Sequence, residues 1–88
     1  MNFFEKYNSL EKELYESYPK NVEFKNGLAI SYEKLGTFYR DKKKDNSEAK
    51  TYFEKCYTLW SELAKAYPNY AEFKNNLNNI INKHPTFI

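Results

Sequence analysis

The run Tyr32-Glu33-Lys34-Leu35-Gly36-Thr37-Phe38-Tyr39, followed beyond a polar break by Ala49-Lys50-Thr51-Tyr52-Phe53-Glu54-Lys55-Cys56, settles the architecture. Leu28, Tyr32, Leu35 and Tyr39 recur at three- and four-residue intervals, so on a helix they share one face, and that face must be buried. Gly36 lies inside the same pattern, where it costs about 1 kcal/mol relative to alanine. Close approach of a second helix accounts for it. Ala49 and Cys56 give that second helix small surfaces, and Phe53, one turn from each, suits a knob filling the space above the glycine. The intervening Asp41-Lys42-Lys43-Lys44-Asp45-Asn46-Ser47 has no apolar residue and reads as a turn, with Ser47 or Asn46 as N-cap of the next helix.

Working outward, Met1–Tyr39 aligns without gaps on Lys50–Ile88 at an offset of 49, with sixteen of the 39 pairs identical. Phe4 matches Phe53, Leu10 matches Leu59, Leu14 matches Leu63, Tyr18-Pro19 matches Tyr67-Pro68, and Glu23-Phe24-Lys25-Asn26 matches Glu72-Phe73-Lys74-Asn75. A Tyr-Pro junction and a four-residue block held in register mark an internal repeat. Four helices are therefore expected, over about 2–18, 20–40, 47–67 and 69–83, each ended by a proline or a polar break. In the first, Phe3, Tyr7, Leu10, Leu14 and Tyr18 form one apolar stripe. The third is expected to carry Phe53, Cys56, Trp60, Leu63 and Tyr67 inward, and the fourth to bury Tyr70, Phe73, Leu77, Ile80 and Ile81.

The order aromatic, two residues, Leu-Gly, two residues, Tyr, then Ala, three residues, Phe resembles the tetratricopeptide repeat consensus, with Tyr32 where tryptophan is usual. The resemblance covers one full repeat. Two departures accompany it: an extra residue in the turn, and Pro68 arriving about two turns later than a 34-residue repeat would place it. His84-Pro85 also stands where Leu-Gly would recur. The implied fold is all-α, four antiparallel helices stacked as helical hairpins in a single domain. A second-helix half repeat (2–18) and a first-helix half repeat (69–83) flank a complete hairpin (20–67).

The resemblance also implies a class of work, the holding of a protein or peptide, without catalysis. In such arrays the groove is lined by first-helix residues one turn apart. By resemblance these are Ile30, Glu33, Thr37 and Arg40, preceded by Asn26, with Asn75, Asn79 and Asn82 as their counterparts in the last helix. Asparagine amides both donate and accept, so such a row can hold an extended backbone, or it is simply a polar solvent face. The alternative role is a structural spacer or self-assembly unit whose half repeats stack end to end, an exposed end face binding a further repeat, a second copy or another protein.

Charge and chemistry narrow the remaining classes. The chain has 88 residues, 41% of them hydrophobic and 30% charged, and a formal net charge of +2, too small to indicate a partner. Lys42–Lys44 is hemmed by Asp41 and Asp45 and reads as a solvated turn, with no nucleic-acid motif beside it. No apolar run suits a membrane span or signal peptide, so a cytoplasmic location is the default expectation. Cys56 is the one cysteine, which excludes an internal disulfide, and it reads as a small buried hydrophobe. His84, the one histidine, reads as a helix-terminating surface residue. No metal site and no cofactor is expected.

Overall fold

The computed structural model describes residues 2–87. Four α-helices, α1 (Phe3–Ser17), α2 (Val22–Asp41), α3 (Asn46–Ala66) and α4 (Ala71–Lys83), are followed by a 3-10 turn, η1 (Pro85–Phe87). The fold is all-α, without strands among the described residues. The helices start where side chains can satisfy the free N–H groups of a first turn. Asn2 accepts from the Glu5 N–H at 2.9 Å, Asn21 from Phe24 at 3.0 Å and Asp45 from Glu48 at 3.0 Å. The α3 cap is thus Asp45 and not Ser47 or Asn46, because Lys44 takes a left-handed φ of 54° and leaves Asp45 extended at the helix mouth. The fourth helix starts at Ala71, two residues later than expected, behind Tyr70, whose side chain makes no cap bond.

The Tyr-Pro junctions end α1 and α3 in the same way. Tyr18 sits at φ −133°, ψ 68° and Tyr67 at φ −129°, ψ 68°, out of the helical region, as a following proline requires. Each donates its N–H to a leucine one turn back, Leu14 or Leu63, at 2.9 Å. Each carbonyl then accepts from the residue three further on, Asn21 at 2.9 Å and Tyr70 at 3.0 Å. These turns are too short for anything but antiparallel neighbours.

The side chains show that pairing directly. Along α1 and α2, Phe4 meets Phe38, the Tyr39 hydroxyl donates to Glu5 at 3.0 Å, Asn8 donates to Ser31 at 2.8 Å, and Tyr18 meets Phe24. Between α2 and α3, Tyr52 stacks on Tyr32, Trp60 Nε1 donates to Asn26 Oδ1 at 2.8 Å, and Lys25 pairs with Glu62 at 2.8 Å. Tyr67 meets Phe73 between α3 and α4 with ring centroids 6.3 Å apart, the counterpart 49 residues later of Tyr18 and Phe24 at 5.8 Å.

The core lies between α2 and α3 and runs on to α4: Leu28, Ala29, Tyr32 and Leu35; Ala49, Phe53, Cys56, Trp60 and Leu63; Phe73 and Ile80. Ser31 is fully buried but satisfied, donating to the Leu28 carbonyl and accepting from Asn8. Gly36 and Phe53 meet as the spacing predicts. A Cβ at position 36 would stand 2.6 Å from Cε1 of the Phe53 ring. Three expectations change. Tyr70 and Ile81 are exposed, Tyr70 leaning on Phe73 and Tyr67 from outside. In α1 the stripe that includes Phe3, Leu10, Leu14 and Tyr18 faces outward, and α1 reaches the core through Phe4 and Tyr15 on an adjacent face.

The two glycines of α2 should respond oppositely to alanine in urea denaturation. At Gly36 the new methyl would collide with a ring that has no room to retreat. Overpacking of this kind costs about 1–3 kcal/mol and outweighs the ~1 kcal/mol helix-propensity gain, so Gly36→Ala lowers stability. At Gly27 the atoms nearest the methyl are the carboxyl end of the flexible Glu11 side chain, and Gly27→Ala raises stability by up to about 1 kcal/mol. Equal shifts at the two sites would contradict the close approach at Gly36.

Candidate functional site

A groove of about 710 Å³ crosses the C-terminal half of α2, between the start of α1 and the end of α4. Phe4 and Phe38 form its apolar wall; Glu33, Lys34, Thr37, Arg40, Asp41, Lys42 and Lys83 supply polar groups, and His84 contributes to its floor. Four of those groups are cations and two are carboxylates, so the rim is basic. A smaller hollow of about 360 Å³ lies between α1, α2 and α3, over Tyr15, Leu28 and Leu59.

The larger groove is organised by Arg40. Its Nε and Nη2 donate to the two Asp41 carboxylate oxygens at 2.7 and 3.1 Å, and its Nη1 lies 2.6 Å from His84 Nδ1. A guanidinium can only donate, so Nδ1 is the acceptor and the imidazole proton sits on Nε2. That nitrogen lies 3.8 Å from Glu33 Oε2. On its other side the imidazole stacks on Phe53, ring centroids 4.0 Å apart and planes 20° from parallel. Arg40 stands 5.8 Å from the centre of the same ring.

His84 is therefore not the surface residue expected from its place beside Pro85, for it is only 5% exposed. Burial, and then the positive charge of Arg40, push its pKa from the ordinary 6.5 down to about 4. The ring stays neutral near pH 7, which keeps Nδ1 free to accept. The Arg40 guanidinium holds the Asp41 carboxyl below the usual carboxylate range. Burial pushes the Cys56 thiol well above its usual value, disfavouring the thiolate a nucleophile or metal ligand requires. Among the described residues no three His, Cys, Asp or Glu side chains group as metal ligands, and no helix is long and apolar enough to cross a membrane.

The sequence-derived row divides. Glu33, Thr37 and Arg40 come together in the groove. Ile30 is half-buried against the core. Asn26 is occupied internally, accepting from Trp60 and donating to Glu72 at 3.5 Å. Asn75, Asn79 and Asn82 are exposed on α4 and do not line the groove. Phe4, Lys34, Phe38, Lys83 and His84 line it and are absent from the row. For His84 the signal was in the repeat, because the 49-residue offset places it on Leu35, a core position.

The His84 environment predicts a pH dependence. The unfolded chain takes up a proton at this ring near pH 6.5 and the folded chain only near 4. Folding stability should be independent of His84 above about pH 6.5 and fall as pH drops from there toward 4. Between pH 5 and 6.5 no other side chain ordinarily titrates. Carbon-13 shifts of the ring should titrate with a midpoint near 4, and His84→Leu should flatten the stability slope above pH 5. A midpoint near 6.5 would contradict the buried, Arg40-bonded ring. Compared with protein-family models, curated proteins and solved structures, the chain matches none.

Proposed function

We propose that this chain is a tetratricopeptide-like module that holds a peptide or protein segment of net negative charge, non-catalytically, in the groove across α2. The observation that carries this reading is the groove's composition: two phenylalanine rings on one wall, and Lys34, Arg40, Lys42 and Lys83 outnumbering Glu33 and Asp41. Its size lies within the roughly 300–1,000 Å³ typical of ligand sites. Apolar side chains of the ligand would rest on Phe4 and Phe38 while its carboxylates meet the rim cations. Arg40 is already oriented by Asp41 and His84, which lowers the cost of ordering it on binding. The helical pairing and the repeated Tyr-Pro turns support the family reading. A cytoplasmic setting belongs to it too, since the unpaired Cys56 stays reduced there.

A second reading, a structural or self-assembling unit, is favoured by one specific observation, the outward apolar stripe of α1.

Fluorescence polarisation against arrays of acidic and neutral peptides tests the first. Lys34 and Lys83 are exposed, so Lys34→Glu/Lys83→Glu should keep the helical circular dichroism and weaken acidic-peptide binding at least roughly tenfold. Changing Asn75, Asn79 and Asn82 together to alanine should leave binding intact. The opposite pattern, binding untouched by charge reversal and lost with the asparagines, would move the site to α4.

A further inference from the structure

The outer face of α1 carries a pattern that complements itself. Phe3, Tyr7, Leu10 and Leu14 are spaced by four, three and four residues, the interval of a coiled-coil seam. The seam lies roughly 100° around the helix from the residues that meet α2. Phe3 is 73% exposed, Leu10 55% and Leu14 40%. The Phe3 and Tyr7 rings stack on each other, centroids 6.4 Å apart, which holds them as one surface. Placed antiparallel against its own copy, the seam pairs Phe3 with Leu14 and Tyr7 with Leu10, twice each, a ring facing a leucine in every layer. A parallel pairing would set each ring against its twin. The antiparallel register also puts Lys6 across from Glu13 of the copy, and Glu13 across from its Lys6, both side chains exposed on the same flank.

We infer that the partner of this face is a second copy of the chain, docked through α1 about a two-fold axis passing between residues 8 and 9. End-to-end stacking fits poorly. There, α4 of one copy would cover α1 of the next as α2 covers α3, with Phe4 in the place of Phe53 and Pro85 in the place of Gly36. A pyrrolidine ring fills the slot that the phenylalanine needs, and Phe4 is already packed on Phe38 with centroids 5.6 Å apart. The apolar seam covers on the order of 400 Å² per copy, half the ~800 Å² of a standard interface, so the dimer is weak and concentration-dependent. It leaves the α2 groove open, since seam and groove lie on different faces of α1.

Sedimentation equilibrium across roughly 10 µM to 1 mM tests the proposal. The wild type should pass from monomer to dimer and stop there. Leu10→Lys, at an exposed position, should keep its helicity and remain monomeric. Lys6→Glu alone and Glu13→Lys alone should each weaken the dimer several-fold, and the double swap should restore it, because the swapped charges again oppose across the two-fold. A monomer throughout the range, growth beyond the dimer, a dimer indifferent to Leu10→Lys, or a double swap that restores nothing would each overturn it. Peptide affinity of the Leu10→Lys monomer should equal that of the wild type, so failure of the groove reading and failure of this one are separable.

Discussion

The Phe53 ring seated over Gly36 couples the packing of α2 on α3 to the geometry of the groove. It is fully buried, and it lies against Gly36 and Arg40 of α2 and against His84 at the end of α4. Through Gly36 it sets how closely α3 approaches α2. Its other face takes the stacked His84 imidazole at the end of α4, and Arg40 lies beside it. A Cβ at position 36 would press on the ring against which His84 stacks, and it is that imidazole whose Nδ1 accepts from Arg40. Packing and site chemistry thus share one side chain. A phenylalanine suits the place because it offers two flat faces at the cost of few rotatable bonds.

The polar contacts that join α2 to α4 follow from this arrangement. The two helices meet through side chains: Asn26 with Glu72 near one end, Arg40 and Glu33 with His84 at the other. Between the partners of a buried histidine and a guanidinium, neutrality of the ring is required, and burial enforces it. The same cluster orients a cation at the groove and fastens the last helix. Stability of the α4 end and readiness of the groove are therefore expected to rise and fall together with the ionisation of one ring.

Much of the fold was legible because it is periodic. The three- and four-residue spacings give the helices, and the glycine inside an apolar face, with small residues opposite, gives the pinch and its partner Phe53. The 49-residue register gives the twin Tyr-Pro turns. What was hidden depends on residues far apart in the chain. His84 beside a proline looks like a frayed end, and only the offset to Leu35 betrays a core position. Asn26 shares a face with Ile30 and Glu33, which points it at a ligand, whereas the buried Trp60 N–H needs an acceptor and takes it. Asp45 competes with Asn46 and Ser47 as a cap in the same polar stretch, and the Glu48 that follows it by three residues, a spacing common at helix starts, is the signal that marks it. The stripe on α1 was visible, but periodicity alone does not say which side of a helix its neighbour occupies. The basic groove could not be read at all, since it joins the first turn of α1 to the last of α4.

A double-mutant cycle between Gly36→Ala and Phe53→Leu, read by urea denaturation, tests the central contact most directly. If the ring occupies the glycine slot, the smaller, more adaptable leucine relieves the collision. Gly36→Ala should then cost less in the Phe53→Leu background than in the wild type, by about 1 kcal/mol or more of coupling. Additivity within about 0.5 kcal/mol would mean that the two side chains do not share that space and that Gly36 does not set the position of the ring beside the groove.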